Sequence, residues 1–524
     1  MASTAFQWLS LVGIIWLQAI NGTNTNFPAY SSQLKQLLSI SQVQLNNLAF
    51  ASDAGKILGW FSGMASVHLP LWLVLVIGSS LGLVGYGVQY LFITNQISSL
   101  SYWHVFLLTV LAGNSICWIN TVCYVIAIRN FPSDHQVAVG LTTSYQGLSA
   151  KIYTNIVQVL SPRKKARYFL FLNSVLPLLV SLMATPLTRE IEVTRPKRMR
   201  VGFVVMFVIT ISTGVYAVLS SLQFLSRNLS PLGNLIGILA SLLLPLLLPV
   251  SEKINELVRS WQANRERLRI YHFTLEENNS PIQERTEPKD GEEEQEEDSN
   301  SEVQVQEVAV REEIGVKLML RRIDFWLYFL IYLFGATLGL VFMNNLGQIA
   351  ESRGYSNTSS LVSLSSSFVF FGRLMPSLMD YFSRGKVRIS RPASMAALMA
   401  PTAGSFLLLL NRTELALYMS TAIIGVCTGA ITSLSVSTTT ELFGTKNFSV
   451  NHNIVVTNIP IGSFVFGYLA AQIYHKEQGE DGKCIGMECY RTTFIIWASL
   501  CFFGTLLALI LHARTRKFYS QRDN

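Results

Sequence analysis

Charge is scarce in this sequence: Asp, Glu, Lys and Arg together make up 14% of 524 residues, against 50% hydrophobic ones. At a mean hydropathy of +0.37 a water-soluble chain of this size could not stay dispersed, so solubility is excluded first. Catalytic constellations are missing as well. No Gly-rich phosphate loop follows a strand pattern, no His or Cys spacing suits a metal, and no nucleophile has a placed base, which disfavours an enzyme or an ATP-driven pump and leaves no cofactor or metal expected. Cysteine occurs six times. Cys117, Cys123, Cys427 and Cys501 fall in apolar runs, where a thiol behaves as a small apolar group. Cys484 and Cys489 lie close together in a polar loop, where they could form a disulfide or stay free.

What the chain has in abundance is apolar runs long enough to cross a hydrocarbon layer about 30 Å thick, which takes roughly 20 helical residues. Fourteen are legible: 7–27, 42–65, 69–93, 102–128, 136–160, 167–187, 201–223, 232–250, 323–346, 358–382, 392–410, 414–438, 450–473 and 492–513. The second and tenth carry Asp53, Lys56 and Arg373, so twelve spans are the alternative. The expected fold is an all-α polytopic membrane protein. Residues 1–6 lack a basic n-region and Gln18-Ala19-Ile20-Asn21 does not suit a cleavage site, so the first run reads as a retained span. Its second half, "INGTNTNFPAYSSQLK", is full of amides. Ending the span near Asn21 would leave too few apolar residues to cross, which predicts that Asn21, Thr23, Asn24, Thr25 and Asn26 turn toward a cavity.

The formal charge of +8 is segregated: residues 274–313 hold 15 acidic and 3 basic side chains. Basic residues elsewhere flank spans and serve as topology signals rather than as a nucleic-acid surface. Arg189 to Arg200, Arg384 to Arg391 and Arg514 to Lys517 predict both termini in the cytosol, in the plasma membrane or an endomembrane. The basic loop Pro162–Arg167 falls on the outer side and opposes this reading. Asn-x-Ser/Thr triplets at Asn228, Asn357 and Asn411 fall in outer loops and agree with it. Between spans eight and nine, Ile254, Leu257, Val258, Trp261 and Leu268 recur at helical spacing, which suits an amphipathic surface helix or a continuation of span eight. The acidic run that follows is predicted to be disordered, as a solvated linker or a protein-partner site.

One offset recurs along the chain. Gly55-Lys56-Ile57-Leu58 returns as Gly372-Arg373-Leu374-Met375, and Phe131 to His135 returns as Phe448 to His452, each displaced by 317 residues. Asn24 and Asn26 have rough counterparts in Asn344 and Asn345. The plan is six plus two plus six: a six-helix bundle over 1–187, two inserted helices over 188–250, a cytosolic loop over 251–322, a second six-helix bundle over 323–513 and a basic tail over 514–524.

The texts "LNNLAFASDAGKILGW", "LPLWLVLVIGSSLGLVGYGVQYLF" and "RNFPSDHQVAVGL", with "DFWLYFLIYLFGATLGLVFMNNLGQIAESRGY" and "CIGMECYRTTFIIW", resemble the plant nodulin-like proteins of the major facilitator superfamily, of the nuclear-fusion-defective-four type. The resemblance covers nearly everything outside 251–312. It implies the major facilitator fold and a transporter-like protein distantly similar to monocarboxylate and oxalate/formate carriers. The superfamily's gate signature is lost after the second span, and its remnant in "PSLMDYFSRGK" keeps Asp380 and Arg384. Monocarboxylate-type carriers place an arginine where Arg373 stands, often with an aspartate four residues earlier; Val369 occupies that position, which puts proton coupling through such a pair in doubt.

Charged side chains inside a bilayer cost several kcal/mol and mark function by default. Lys56 and Arg373, in equivalent places of the two halves, could attract an organic carboxylate, with the guanidinium gripping it through two hydrogen bonds. The competing reading has them snorkel or fasten helices, with Asp53 pairing Lys56. His135 and His452 suit proton coupling by titration range, and by position a loop contact or cap. Tyr145, Gln146 and Lys151 would line a cavity if the fifth span faces it. Asn344, Asn345 and Gln348 stand at a depth comparable to the amides of span one. The expected function is secondary active transport of a small polar solute, an organic anion such as a monocarboxylate, by alternating access and with protons as a candidate co-solute. The rivals are a receptor or scaffold in membrane fusion or signalling, and a carrier of metal ions or amino acids.

Overall fold

A computed structural model describes residues 4–161, 164–191, 199–221, 230–277, 312–355, 358–383, 390–479 and 484–520, and among these it is helical throughout, without a strand. The acidic run beyond Glu277, Arg163, Asn228, Asn357 and Arg384 lie outside the described residues.

Fourteen helical segments follow in order. They are α1 (Thr4–Ile20), α2 (Gln42–Ala54, a 3-10 turn Gly55–Leu58, then Gly59–His68), α3 (Leu71–Ile93), α4 (Tyr102–Asn130), α5 (His135–Gly147 and Ser149–Leu160), α6 (Lys165–Ala184) and α7 (Arg200–Ser221). There follow α8 (Pro231–Leu243, the 3-10 turn Leu244–Leu246 and Leu247–Glu277), α9 (Ile323–Tyr332, a π-helical turn Leu333–Thr337 and Leu338–Ser352), α10 (Thr358–Phe382), α11 (Arg391–Leu408), α12 (Glu414–Phe443), α13 (Phe448–Val456 and Asn458–Lys476) and α14 (Glu488–Ser520). Ten helices among the described residues are long and apolar enough to cross a membrane. The exceptions are α1, which is short, α2 and α5, which are broken and carry lysines, and α11. With even parity, Thr4 and Ser520 lie at one end of the molecule, the termini end.

The sequence places span one over 7–27, and here the structure corrects it: the helix ends at Ile20. Asn21 to Asn26 form turns that lead into a 3-10 turn, Phe27–Ala29, and a short helix, Ser31–Leu38. The crossing is completed by irregular chain, which is tolerated at membrane depth when protein rather than lipid surrounds it. Asn21, Thr23 and Asn26 are accordingly buried.

The two six-helix bundles show the 317-residue repeat in their packing. A Cβ on Gly55 would run into the Val110 carbonyl of α4, and one on Gly113 into the Ser52 carbonyl of α2. In the second bundle Gly372 meets the Val426 carbonyl and Gly429 the Val369 carbonyl. Each second helix therefore crosses its fourth at backbone contact, which only glycine allows. The lysine or arginine that follows the repeated glycine is thus aimed by the same crossing in both halves.

The inserted helices α7 and α8 pack on the seam where the halves meet. Trp16 of α1 donates its indole N–H to the Leu242 carbonyl (2.8 Å), the Tyr145 hydroxyl bonds Thr210 (3.1 Å), and Gly214 lies against Phe370 and Phe371 of α10. At the end opposite the termini, Cys484 and Cys489 form a disulfide, and the Gly486 N–H there donates to the Ser352 carbonyl (2.8 Å).

Candidate functional site

The halves meet along α2–α13 and α5–α10, and the polar side chains on this interface fall into three levels. At the termini end Arg391 is buried, although its sequence neighbourhood suggested only a topology signal. Its guanidinium donates to Asp380 (2.6 Å), Glu441 (3.2 Å) and the Gln136 amide oxygen (2.8 Å). Gln136 in turn donates to Glu441 (2.8 Å), as does the Tyr519 hydroxyl (3.0 Å). Because Gln136 belongs to α5 and the others to the second half, this network ties the halves together. Asp380 therefore has its partner in Arg391, eleven residues on, a pairing that spacing alone did not suggest. Nearby, Asn453 donates to Thr121 (3.0 Å) and Ser449 to the Gly63 carbonyl (3.3 Å), both across the interface.

At the middle level the repeat-related cations differ. Lys56 is paired with Asp53 at 2.5 Å, with both side chains buried. The other Asp53 oxygen accepts from Asn344 of α9 (3.2 Å) and from Ser463 of α13 (2.5 Å), so one carboxylate serves its own lysine and two groups of the opposite half. Arg373 has only neutral partners: Gln146 (2.5 Å) and the Thr143 carbonyl (3.4 Å), both across the interface on α5. Its Nε is buried without a partner, and among the described residues no carboxylate pairs with it. The reason is legible in the repeat: 317 residues after Asp53 stands Phe370, so the second half keeps the cation and loses the acid.

The remaining candidates are dispersed. Asn21 donates to the Ile116 carbonyl (3.2 Å) and to Asn120 (2.9 Å), and Asn26 to Asn173 (2.9 Å), so these amides fasten the end of α1 to α4 and α6 rather than pointing into the cavity described below. Asn24 is half-buried in the same turns. His452 is not a membrane-edge cap: it is buried, stacked on Phe448 at 5.1 Å and edge-on to Tyr124 of the other half at 5.5 Å, with Thr439 at 3.3 Å. His135 bonds the Pro132 carbonyl (3.2 Å), a loop contact. Lys151 is buried beyond the break in α5, one turn before Asn155, whose amide donates to the Asn234 carbonyl of α8 (3.4 Å). Helical spacing puts Lys151 on that face, and no hydrogen bond or ion pair is made by it among the described residues. Tyr145 points to α7.

At the third level, opposite the termini, a cavity of about 570 Å³ opens between the halves. Asn344, Asn345 and Gln348 line it, with Lys35, Glu351 and Ser463. The Tyr490 hydroxyl, next to the disulfide, holds Gln348 by its oxygen (2.7 Å). The Ser31–Leu38 helix forms one wall and reaches across through Ser32 to Glu351 (3.0 Å). The sequence reading missed Lys35, Glu351, Gln136 and Glu441. A glutamate at the end of span twelve was the one available signal.

Two helix pairs, with breaks in α2, α5 and α13, meet across a polar interface that has a cavity at one end and cross-links at the other; this defines a multi-pass membrane protein with a transporter-like fold of the major facilitator type. Solved structures agree. A peptide transporter of the POT group in complex with sulfate matches with a TM-score of 0.55 at 11% identity, over 98% of this chain and 95% of that one. A second match, described under substrate recognition in proton-dependent oligopeptide transporters, has a TM-score of 0.53 at 12% identity, over 98% and 99%. At these identities the likeness is one of fold. Sequence narrows the class: residues 7–250 match the family described as Nodulin-like, and 307–521 the one described as "NFD4, C-terminal domain". The Arabidopsis thaliana protein NUCLEAR FUSION DEFECTIVE 4 is 38% identical over 537 residues, covering 99% of this chain and 90% of the relative. The chain belongs to the nodulin-like family of this type.

Proposed function

We propose that the protein is a secondary active carrier of a small organic anion, such as a monocarboxylate, and that Arg373 takes the anionic group. The observation that carries this reading is the asymmetry between the two cations. Lys56 is already neutralised by Asp53, whereas Arg373 lies on the seam between the halves with neutral partners and an unpartnered Nε. A buried guanidinium without a counter-charge is costly, and a carboxylate entering from the cavity would supply one through paired hydrogen bonds. Gln146 then orients the guanidinium, and Asn344, Asn345 and Gln348 line the approach. Rocking of the halves would exchange the cavity for the Arg391–Glu441–Gln136 cross-links as the closed end, with both termini in the cytosol. Asp53, shared by both halves, is the carboxylate whose protonation would loosen the cavity end, and so the coupling candidate.

A zwitterionic solute such as an amino acid is the second reading, favoured by Lys35 and Glu351 lining the same cavity with opposite signs. Both are tested in proteoliposomes with a panel of labelled monocarboxylates and amino acids. Arg373→Ala should weaken anion uptake by the value of a charged hydrogen-bond pair, about 1.5–3 kcal/mol or roughly 10- to 150-fold in apparent affinity. Arg373→Lys should restore part of it. Uptake of an anion that both variants leave unchanged refutes the Arg373 site. Uptake of amino acids that depends on Glu351 selects the second reading.

A further inference from the structure

Helix α8 does not stop with the bilayer. Leu247–Glu277 is one helix of 31 residues. Its base is fastened to α1, where the Ala5 N–H donates to Glu256 (3.4 Å) and the Lys253 ammonium lies 6.0 Å from the centroid of the Phe6 ring. Along one side run Val250, Ile254, Leu257 and Trp261, which are 53%, 55%, 57% and 64% exposed. Arg265 lies over the Trp261 ring at 5.3 Å.

Their spacing is four, three, four, and the sequence carries it on through Asn264, Leu268, Tyr271 and Leu275 at three, four, three, four. This is a strict heptad repeat in which those residues take the a and d positions. The flanking e and g positions are Ser251, Lys253, Ser260 and Arg265, with Val258 the one apolar exception. A helix lying on lipid presents a broad apolar face, whereas a narrow stripe with a 3.5-residue period is the seam of one helix against another. Toward the bilayer the 3-10 turn Leu244–Leu246 interrupts the helix and the register, so the seam is confined to the extension from Val250 onward.

We propose that this seam is the interface between two copies of the chain, whose α8 extensions wind into a parallel coiled coil. The bilayer selects the partner: it holds every copy in one orientation and at one depth, so identical stripes meet parallel and in register. Asn264, the one polar residue of the seam, then faces its own copy, where two amides satisfy each other only if the helices are not slipped.

The test uses the full-length protein in membranes, with Leu257→Cys in the seam and Arg259→Cys on the far side of the same turn. The native cysteines do not compete, since Cys117, Cys123, Cys427 and Cys501 are buried and Cys484 and Cys489 are bonded to each other. Oxidation should link Leu257→Cys into a dimer and leave Arg259→Cys monomeric, because a disulfide needs Cβ atoms about 3.5–4.5 Å apart. Adding Trp261→Glu to Leu257→Cys should remove the dimer. Equal linking at both positions, or no linking at 257, overturns the proposal. So does a bromolipid quench of tryptophan fluorescence that Trp261→Phe reduces, which would show the helix lying on the bilayer.

Discussion

Removing Asp53 should cost more than removing its partner, and removing both should cost less than removing Asp53 alone. Asp53→Ala leaves the Lys56 ammonium buried without a counter-charge and takes the acceptor from Asn344 and Ser463. Breaking one partner of a buried ion pair costs about 3–5 kcal/mol, and each stranded donor adds about 1–3 kcal/mol. Lys56→Met is milder, since the carboxylate keeps two donors. The double variant Asp53→Ala, Lys56→Met has no buried charge and so escapes the largest penalty, although Asn344 and Ser463 still lose their acceptor. The assay is thermal unfolding of the four purified proteins in detergent, read by tryptophan fluorescence as a double-mutant cycle. The expected order of midpoints puts wild type highest and Asp53→Ala lowest, with Lys56→Met and the double variant between them and the double variant well above what the sum of the two single losses would give. A double variant as unstable as the sum of the singles would show that the charges do not compensate each other, and would refute both the pairing and the claim that Lys56 is unavailable to an anion.

Gly372→Val should strongly lower the yield of folded protein, because the new side chain meets the Val426 carbonyl of a neighbouring helix rather than a movable side chain; overpacking costs about 1–3 kcal/mol, and more where backbone blocks relaxation. Gly404→Val, with nothing within 4 Å of its Cβ, is the control that should express normally. Glu441→Gln removes the carboxylate that holds Arg391, Gln136 and Tyr519 at the termini end. Losing about 1.5–3 kcal/mol there should raise the population open at that end roughly 10- to 150-fold. Labelling of Asn453→Cys by an impermeant maleimide added at the termini side should accelerate accordingly, and an unchanged rate would deny the network a gating role.

How far the site was legible follows from the kind of signal each residue gives. Lys56 and Arg373 stood out because a cation in an apolar run is a local anomaly, and the repeat aligned them. Their different fates depend on whether a carboxylate stands one turn earlier, which Asp53 and Phe370 show in the sequence once the offset is known. Arg391 was hidden: a basic residue at a span end is the ordinary topology signal, and only packing shows it buried between Asp380 and Glu441. Asn21 and Asn26 misled because polarity in a span reads equally as a cavity face and as a helix fastening, and their partners Asn120 and Asn173 lie 99 and 147 residues away.

The membrane setting, the 317-residue repeat and the family were legible in the sequence alone, since they rest on hydrophobic runs, a constant offset and local text. Where α1 ends, which cation is neutralised and which end of the interface is cross-linked emerge from the packing of the helices. Those outcomes depend on contacts between residues hundreds of positions apart, such as Asp53 with Ser463 and Gln136 with Glu441. A buried polar group takes whichever partner the packing of helices brings within 3 Å, and no periodicity along the chain encodes that choice.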